Sequence, residues 1–283
     1  MSFFNEAYRR IAFQFSCLIH FTLKFVFLRS RIYMNKSYLR QFYLIPWSIW
    51  CGFWFFFLTG ICFIFVFVLL LFNNQKCYQL AHECPTICTK SILFLWAIRV
   101  RQLGLEHFDA KKQYIFTGNH RSMLDALIVC AYIPNAKKFI GKAELVKIPF
   151  VGYILKKIYI PVNRANKESR IWSKQQLISK MKEGFSMVLF PEGTCNTSEE
   201  PLMEFKDGAF ETSYFTQTAI VPFVIDKADK LWHRTIWLVR PGSIIISFLP
   251  QEPPRKKDGV ELEEMQSTVR NNMLSEYLKL QKA

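Results

Sequence analysis

The chain has 283 residues, 51% of them hydrophobic, and a formal net charge of +15, enough for one α/β domain with a membrane anchor or for two small domains. Its eight cysteines are scattered, three of them (Cys17, Cys51 and Cys62) within or before a long apolar run; this excludes a disulfide-stapled secreted scaffold and reads as reduced thiols on the cytoplasmic side. The positive excess fits nucleic acid or an anionic membrane surface, but no RNA- or DNA-binding motif accompanies it, so membrane lipids are the expected partner and nucleic acid is not.

Residues 1–42 are expected to lie along the membrane interface. Ile11–Leu28 is apolar but interrupted by Gln14, His20 and Lys24, which fits an amphipathic interfacial helix, with a second span as the alternative. Residues 43–74 are expected inside the bilayer. No charged residue occurs between Arg40 and Lys76, and Trp47–Phe72 is an apolar run of 26 residues, against the roughly 20 needed to cross a bilayer core. A signal peptide does not fit: the run starts too far from Met1, is too long, and ends in Asn73-Asn74-Gln75-Lys76 rather than at a small-residue cleavage site. Basic residues stand on both flanks, so the charge bias does not choose between one tilted span and a re-entrant hairpin broken near Thr59-Gly60. The expected location is a membrane, on the cytoplasmic face of the inner or plasma membrane.

Residues 75–102 read as a helical connector broken around Pro85. His82, Cys84 and Cys88 lack a fourth ligand at a sensible spacing, so no metal is expected. From Leu103 to about residue 260, short apolar strands alternate with amphipathic helices, the pattern of an α/β domain. Strands are predicted at Tyr114–Thr117, Lys138–Gly141, Ile158–Val162, Ser186–Phe190, Ala219–Ile225 and Ser243–Leu249, with helices over Ser122–Ala131 and Ser169–Glu183. Residues 261–283 form a final amphipathic helix, its apolar stripe running through Leu262, Met265, Val269, Met273, Tyr277 and Leu280.

Three short constellations carry chemistry. Asn119-His120-Arg121-Ser122-Met123-Leu124-Asp125 sits where a strand gives way to a helix, a place where side chains open into a cleft. Asp125 is close enough to fold back onto an imidazole nitrogen of His120, and a base with an orienting carboxylate is the general-base half of a serine triad. Phe190-Pro191-Glu192-Gly193-Thr194 ends a buried strand and is followed by Phe205-Lys206-Asp207-Gly208. There Glu192 is placed to hydrogen-bond a polyol or the attacking hydroxyl, and Lys206 to meet a phosphate. Arg164 follows Tyr159-Ile160-Pro161-Val162-Asn163 at a strand end, where a guanidinium suits bidentate phosphate binding. No Gly-x-Ser-x-Gly elbow is present, which argues against a serine hydrolase.

His120-x4-Asp125, Arg164 after its strand, Phe190–Thr194 and Val221-Pro222, in this order and spacing, resemble the glycerolipid acyltransferase superfamily, which includes the bacterial 1-acylglycerol-3-phosphate acyltransferases. Lys142-Ala143-Glu144-Leu145 with Ile148-Pro149 resembles the stretch these enzymes carry between their first two motifs. The resemblance covers about Leu103–Leu249. It implies a mixed sheet flanked by helices (the glycerol-3-phosphate acyltransferase-like fold), preceded by the N-terminal helical membrane segment. It further implies that His120 is the general base and Asp125 its partner; that Arg164 binds the acceptor phosphate; that Glu192, Gly193 and Thr194 shape the acceptor site; and that Lys142 and Lys206 are further phosphate contacts. The acceptor implied is a lysophospholipid, foremost 1-acylglycerol 3-phosphate. The donor is acyl-CoA or acyl carrier protein, acting as co-substrate with no resident cofactor. Backbone N–H groups near the helix start are expected to stabilise the oxyanion. Cys195 and Asn196 stand where many of these enzymes have Arg or Ser, and this leaves lysophosphatidylcholine-like lipids, lyso-aminolipids and glycerol 3-phosphate open as acceptors. A thioesterase using the same base on water, or an inactive lipid-binding protein, is the alternative of another class.

Overall fold

A computed structural model describes residues 36–72, 74–134, 137–142, 159–162, 166–232, 238–255 and 259–282. The interfacial helix expected before residue 36 lies outside these, as do Arg164 and the Ala143–Pro149 stretch. Helix α1 (Lys36–Leu71) runs through Thr59 and Gly60 without interruption, so a hairpin broken there has no turn to form on. Its apolar part, Tyr43–Leu71, is 29 residues long, about 43 Å at 1.5 Å per residue, and long enough to cross a bilayer. Ile49, Phe53, Phe56, Ile61 and Ile64 are exposed.

Helix α2 (Gln75–Leu95) starts at Asn74, whose side chain accepts the Lys76 N–H, and it contains Pro85. The break expected at Pro85 is therefore corrected. Proline removes one backbone donor, but the helix is held from outside: Thr86 donates its hydroxyl to the Cys130 carbonyl at 3.1 Å, and Ile92 and Leu93 are buried in the core. Tertiary packing thus overrides the local helix-breaking tendency. The connector also ends earlier than expected, because β1 (Ile98–Leu103) already belongs to the sheet. Its alternating Arg99 and Arg101 hide it in the sequence, as suits an edge strand with charged outward residues.

After a 3-10 turn at Leu105–His107, the remaining described strands and α-helices are β2 (Ile115–Gly118), α3 (Leu124–Tyr132), β3 (Lys137–Lys142), β4 (Tyr159–Val162), α4 (Lys167–Lys182), β5 (Ser186–Leu189), α5 (Gly208–Thr216), β6 (Ile220–Asp226), the short α6 (Ala228–Leu231), β7 (Gly242–Phe248) and α7 (Gly259–Lys282). The strands form one sheet in the order β1-β7-β6-β2-β5-β3-β4. All neighbours are parallel except β6 and β7, so the sheet is mixed.

Strand alternation sends side chains to two cores. Phe116, Val188, Val221 and Phe223 face the layer containing Ile92 of α2, Trp96 just after it, and Leu124 and Val129 of α3. Ile115, Met187, Ile220 and Val224 face the layer containing Phe210 of α5 and Met265, Val269 and Met273 of α7. Each fully buried side chain of this size contributes roughly 1.5–3 kcal/mol relative to exposure. The apolar stripe of α7 is the one read from sequence, and it lies on the second core.

Candidate active site

The site is built at the C-terminal end of β2, in the middle of the sheet, where strand ends of an open α/β sheet form a crevice. β2 finishes at Gly118, and a Cβ there would lie 2.1 Å from the Phe223 ring. Only a residue without a side chain lets β2 and β6 approach with that ring between them. Asn119 is next, almost wholly buried, and it mimics a peptide. Its amide donates to the Ile225 carbonyl at 2.9 Å, and its oxygen accepts the Ile225 N–H at 2.7 Å. The turn is thereby fastened to β6 one residue before His120.

His120 and Asp125 meet as the sequence predicts. Nδ1 of His120 lies 2.9 Å from Oδ2 of Asp125. The imidazole stacks on Phe190 with ring centroids 4.4 Å apart and is 21% exposed, whereas the Asp125 side chain is 1% exposed. In the neutral tautomer with Nδ1–H donated to the carboxylate, the Nε2 lone pair is the one able to take a proton. The same Oδ2 accepts the main-chain N–H groups of Arg121 and Ser122, each at 2.7 Å. Burial pushes the Asp125 pKa up, opposed by the hydrogen bond and charge of His120 and by these two backbone donors. The Arg121 and Ser122 N–H groups, just before α3, are therefore engaged by Asp125.

The second constellation packs beside the first. After β5, Phe190–Gly193 closes a turn with the Gly193 N–H on the Phe190 carbonyl at 3.0 Å. Gly193 has φ +74°, the left-handed region that glycine adopts without strain. Glu192 is almost wholly buried, and both of its oxygens accept main-chain donors: Oε1 from the His120 N–H at 2.9 Å and Oε2 from the Met203 N–H at 3.1 Å. Burial raises its pKa, with these bonds pulling the other way. Glu192 thus couples the two turns directly. Thr194 and Lys206 are exposed at the rim. A cleft of about 360 Å³ opens beside Glu192, lined by Ser198, Met203, Lys206 and Arg270 among others. Lys142 ends β3, its side chain lying outside the described residues together with Arg164.

Two site residues, Arg121 and Asn196, have no role assigned to them by the sequence. The Arg121 guanidinium donates to the carbonyls of Glu200 at 2.6 Å and Ser198 at 3.1 Å. The buried Asn196 gives its main-chain N–H to the His120 carbonyl at 2.6 Å, and its side chain organises Ser198 and Glu200. Their positions next to His120 and Thr194 were the available signal; their partners, some 80 residues away along the chain, were not. His82 packs on Phe185 with centroids 5.6 Å apart, and burial, with Lys138 and Lys137 nearby, lowers its pKa to about 4.

A family model described as Acyltransferase matches residues 99–226, which include every residue of both turns. The 1-acyl-sn-glycerol-3-phosphate acyltransferase of Limnanthes alba is 27% identical over 195 residues, 68% of this chain and 68% of that one. The protein of the same name from Borreliella burgdorferi is 29% identical over 188 residues, 66% of this chain and 75% of its own. The crystal structure of the 1-acyl-sn-glycerophosphate acyltransferase PlsC from Thermotoga maritima shares the fold, with a TM-score of 0.72 at 21% identity over 86% of this chain and 98% of that one. The family match spans the buried strand ends that hold His120, Asp125 and Glu192, on a sheet with the fold of a solved relative: residues 99–226 of this chain match the Acyltransferase family.

Proposed function

We propose that this chain transfers a fatty acyl group from an acyl thioester, acyl-CoA or acyl carrier protein, to the free hydroxyl of 1-acylglycerol 3-phosphate, giving phosphatidic acid for phospholipid synthesis. The observation that carries the reading is the partly exposed His120 ring held 2.9 Å from a buried Asp125, supported by relatives that bear this activity in their names.

In this reading Nε2 of His120 takes the proton of the acceptor hydroxyl as that oxygen attacks the thioester carbonyl. Asp125 stabilises the imidazolium, as a buried carboxylate beside a catalytic histidine does. The C–S bond breaks and the proton passes from His120 to the departing thiolate. A thiol has a pKa near ~8.5, so its expulsion needs less assistance than that of an amine. The donor is a co-substrate, so no resident cofactor or metal takes part. Arg164, Lys142 and Lys206 supply positive charge for the acceptor phosphate, while Gly193 and Thr194 line its approach. Helix α1 crosses the membrane and keeps the strand ends at the cytoplasmic interface, where lysolipid arrives from the bilayer and donor from water.

The test is a transfer assay on the purified protein in lipid vesicles, crossing acyl-CoA and acyl carrier protein with lysophosphatidate, glycerol 3-phosphate, lysophosphatidylcholine and a lyso-aminolipid. Thiol release dependent on lysophosphatidate, with phosphatidic acid as product, is expected. Thiol release at equal rates with and without lysolipid would instead identify a thioesterase.

A further inference from the structure

The turn that carries His120 is fixed by a relay that begins on the C-terminal helix. Arg270 lies on α7, about 150 residues along the chain from His120 and outside the region matched by the family model. Its guanidinium forks onto two consecutive carbonyls, Nε to Met203 and Nη2 to Leu202, both at 3.2 Å. One turn earlier on the same helix, the Gln266 amide donates to the Phe205 carbonyl at 2.6 Å. The segment held in this way pairs with the Pro191–Gly193 turn at two points. Met203 gives its N–H to Glu192, and Lys206 gives its N–H to the Pro191 carbonyl at 2.7 Å. Glu192 in turn holds the His120 N–H.

Among the described residues no carboxylate lies within ion-pairing distance of Arg270. A half-buried guanidinium committed to main-chain carbonyls gives up hydration for geometry, and a planar fork suits two adjacent acceptors where a lysine ammonium does not. The geometry points to Arg270 as a positioning residue for acyl transfer. It fixes the Leu202–Lys206 segment, which orients Glu192, which sets the backbone of the general base. This rests on the acyltransferase reading above. Misplacement of a catalytic group by about 1 Å, caused from outside the chemistry, costs up to about a hundredfold in rate.

The experiment compares wild type, Arg270→Met, Arg270→Lys, Glu192→Gln and the double variant Arg270→Met/Glu192→Gln in the full-length protein, with kcat normalised to folded protein by thermal melting. Lys279→Met, on the same helix with its side chain 78% exposed, controls for loss of a positive charge and should keep the wild-type kcat. Arg270→Met should lower kcat about tenfold to a hundredfold, with KM for both substrates held within about twofold. Arg270→Lys should recover part of the loss. The double variant should fall no further than the weaker of its two parents, because both changes cut one relay. Losses that multiply in the double variant, or a wild-type kcat in folded Arg270→Met, would overturn the relay alone. Absence of transfer by the wild type would overturn the acyltransferase reading and the relay with it.

Discussion

Ser122 donates its hydroxyl to the Trp232 carbonyl at 2.6 Å while its own N–H is held by Asp125 at 2.7 Å. The same oxygen also accepts the Leu124 N–H at 3.2 Å, at the first residue of α3. One small residue therefore joins the Asp125 carboxylate, the helix start and the end of α6. The Trp232 ring packs edge-on against Trp96, 5.4 Å between centroids, and the Trp96 indole donates to the Cys51 carbonyl of α1 at 2.9 Å. Replacing Ser122 by Ala leaves a buried N–H and a carbonyl without their partner. The expected cost is about 1–3 kcal/mol, seen as a lower Tm together with a lower kcat. An unchanged Tm would show that water replaces the hydroxyl.

His120→Ala is expected to lower thioester-dependent transfer by roughly 10²–10⁴-fold, the range a general base supplies. The ring is partly exposed, so Tm should change little beyond the loss of the Phe190 stack. Measuring phosphatidic acid formation at saturating substrates decides the matter, and a variant as active as wild type would remove His120 from the mechanism.

Asp125→Asn keeps an oxygen for the three donors but loses the charge that stabilises an imidazolium, so kcat should fall by about 10²-fold or more. Its stability carries a separate signature. Burial raises the Asp125 pKa, so just above the ordinary carboxylate range the folded protein holds a proton there that the unfolded chain has released. That contribution is complete below the unfolded pKa and is lost as pH rises through the folded one. Asn does not titrate. The Tm of wild type minus that of Asp125→Asn should therefore be most positive in acid and shrink as pH rises through this window; growth in the difference would mean that the hydrogen bonds outweigh burial.

Gly118→Ala places a methyl group 2.1 Å from an atom of the Phe223 ring. Phe223 is wholly buried, so the ring has no free space into which to move. Overpacking of this kind typically costs about 1–3 kcal/mol, and here it falls two residues before His120. Thermal unfolding should show the loss, and Phe223→Leu in the same chain should restore part of it. Equal melting of Gly118→Ala and wild type would mean that β2 shifts freely.

Phe57→Arg with Ile61→Arg puts two charges on the outward side of α1, near the middle of Tyr43–Leu71. A charge at the centre of a spanning helix costs about 2.5–3.5 kcal/mol. The share of protein resisting alkaline extraction from membranes should drop, and full retention would argue that α1 does not cross the bilayer.

Much of the fold is legible along the chain because its signals are local. An apolar run of 26 residues without a charge marks a helix long enough to cross a membrane. Buried parallel strands appear as short apolar runs, and the six strands predicted lie within about two residues of those observed. β1 escapes because its arginines mask an edge strand, and α5 because its first residue, Gly208, belongs to the Phe205–Gly208 motif. The unbroken passage of α2 through Pro85 depended on packing against α3, which no local pattern records.

The sequence by itself determined the residue types and spacings that put a histidine and an aspartate five residues apart across a strand-to-helix turn, and that local geometry sufficed to bring them together. Only the tertiary structure decided what holds them. Glu192, Asn119, Arg121 and Arg270 act through main-chain groups far along the chain. A backbone N–H or carbonyl is the same at every residue, so no side-chain pattern announces which one a buried polar group will find. The fold makes that choice, because burial leaves a polar group unpartnered unless the packed chain brings a donor or acceptor to it.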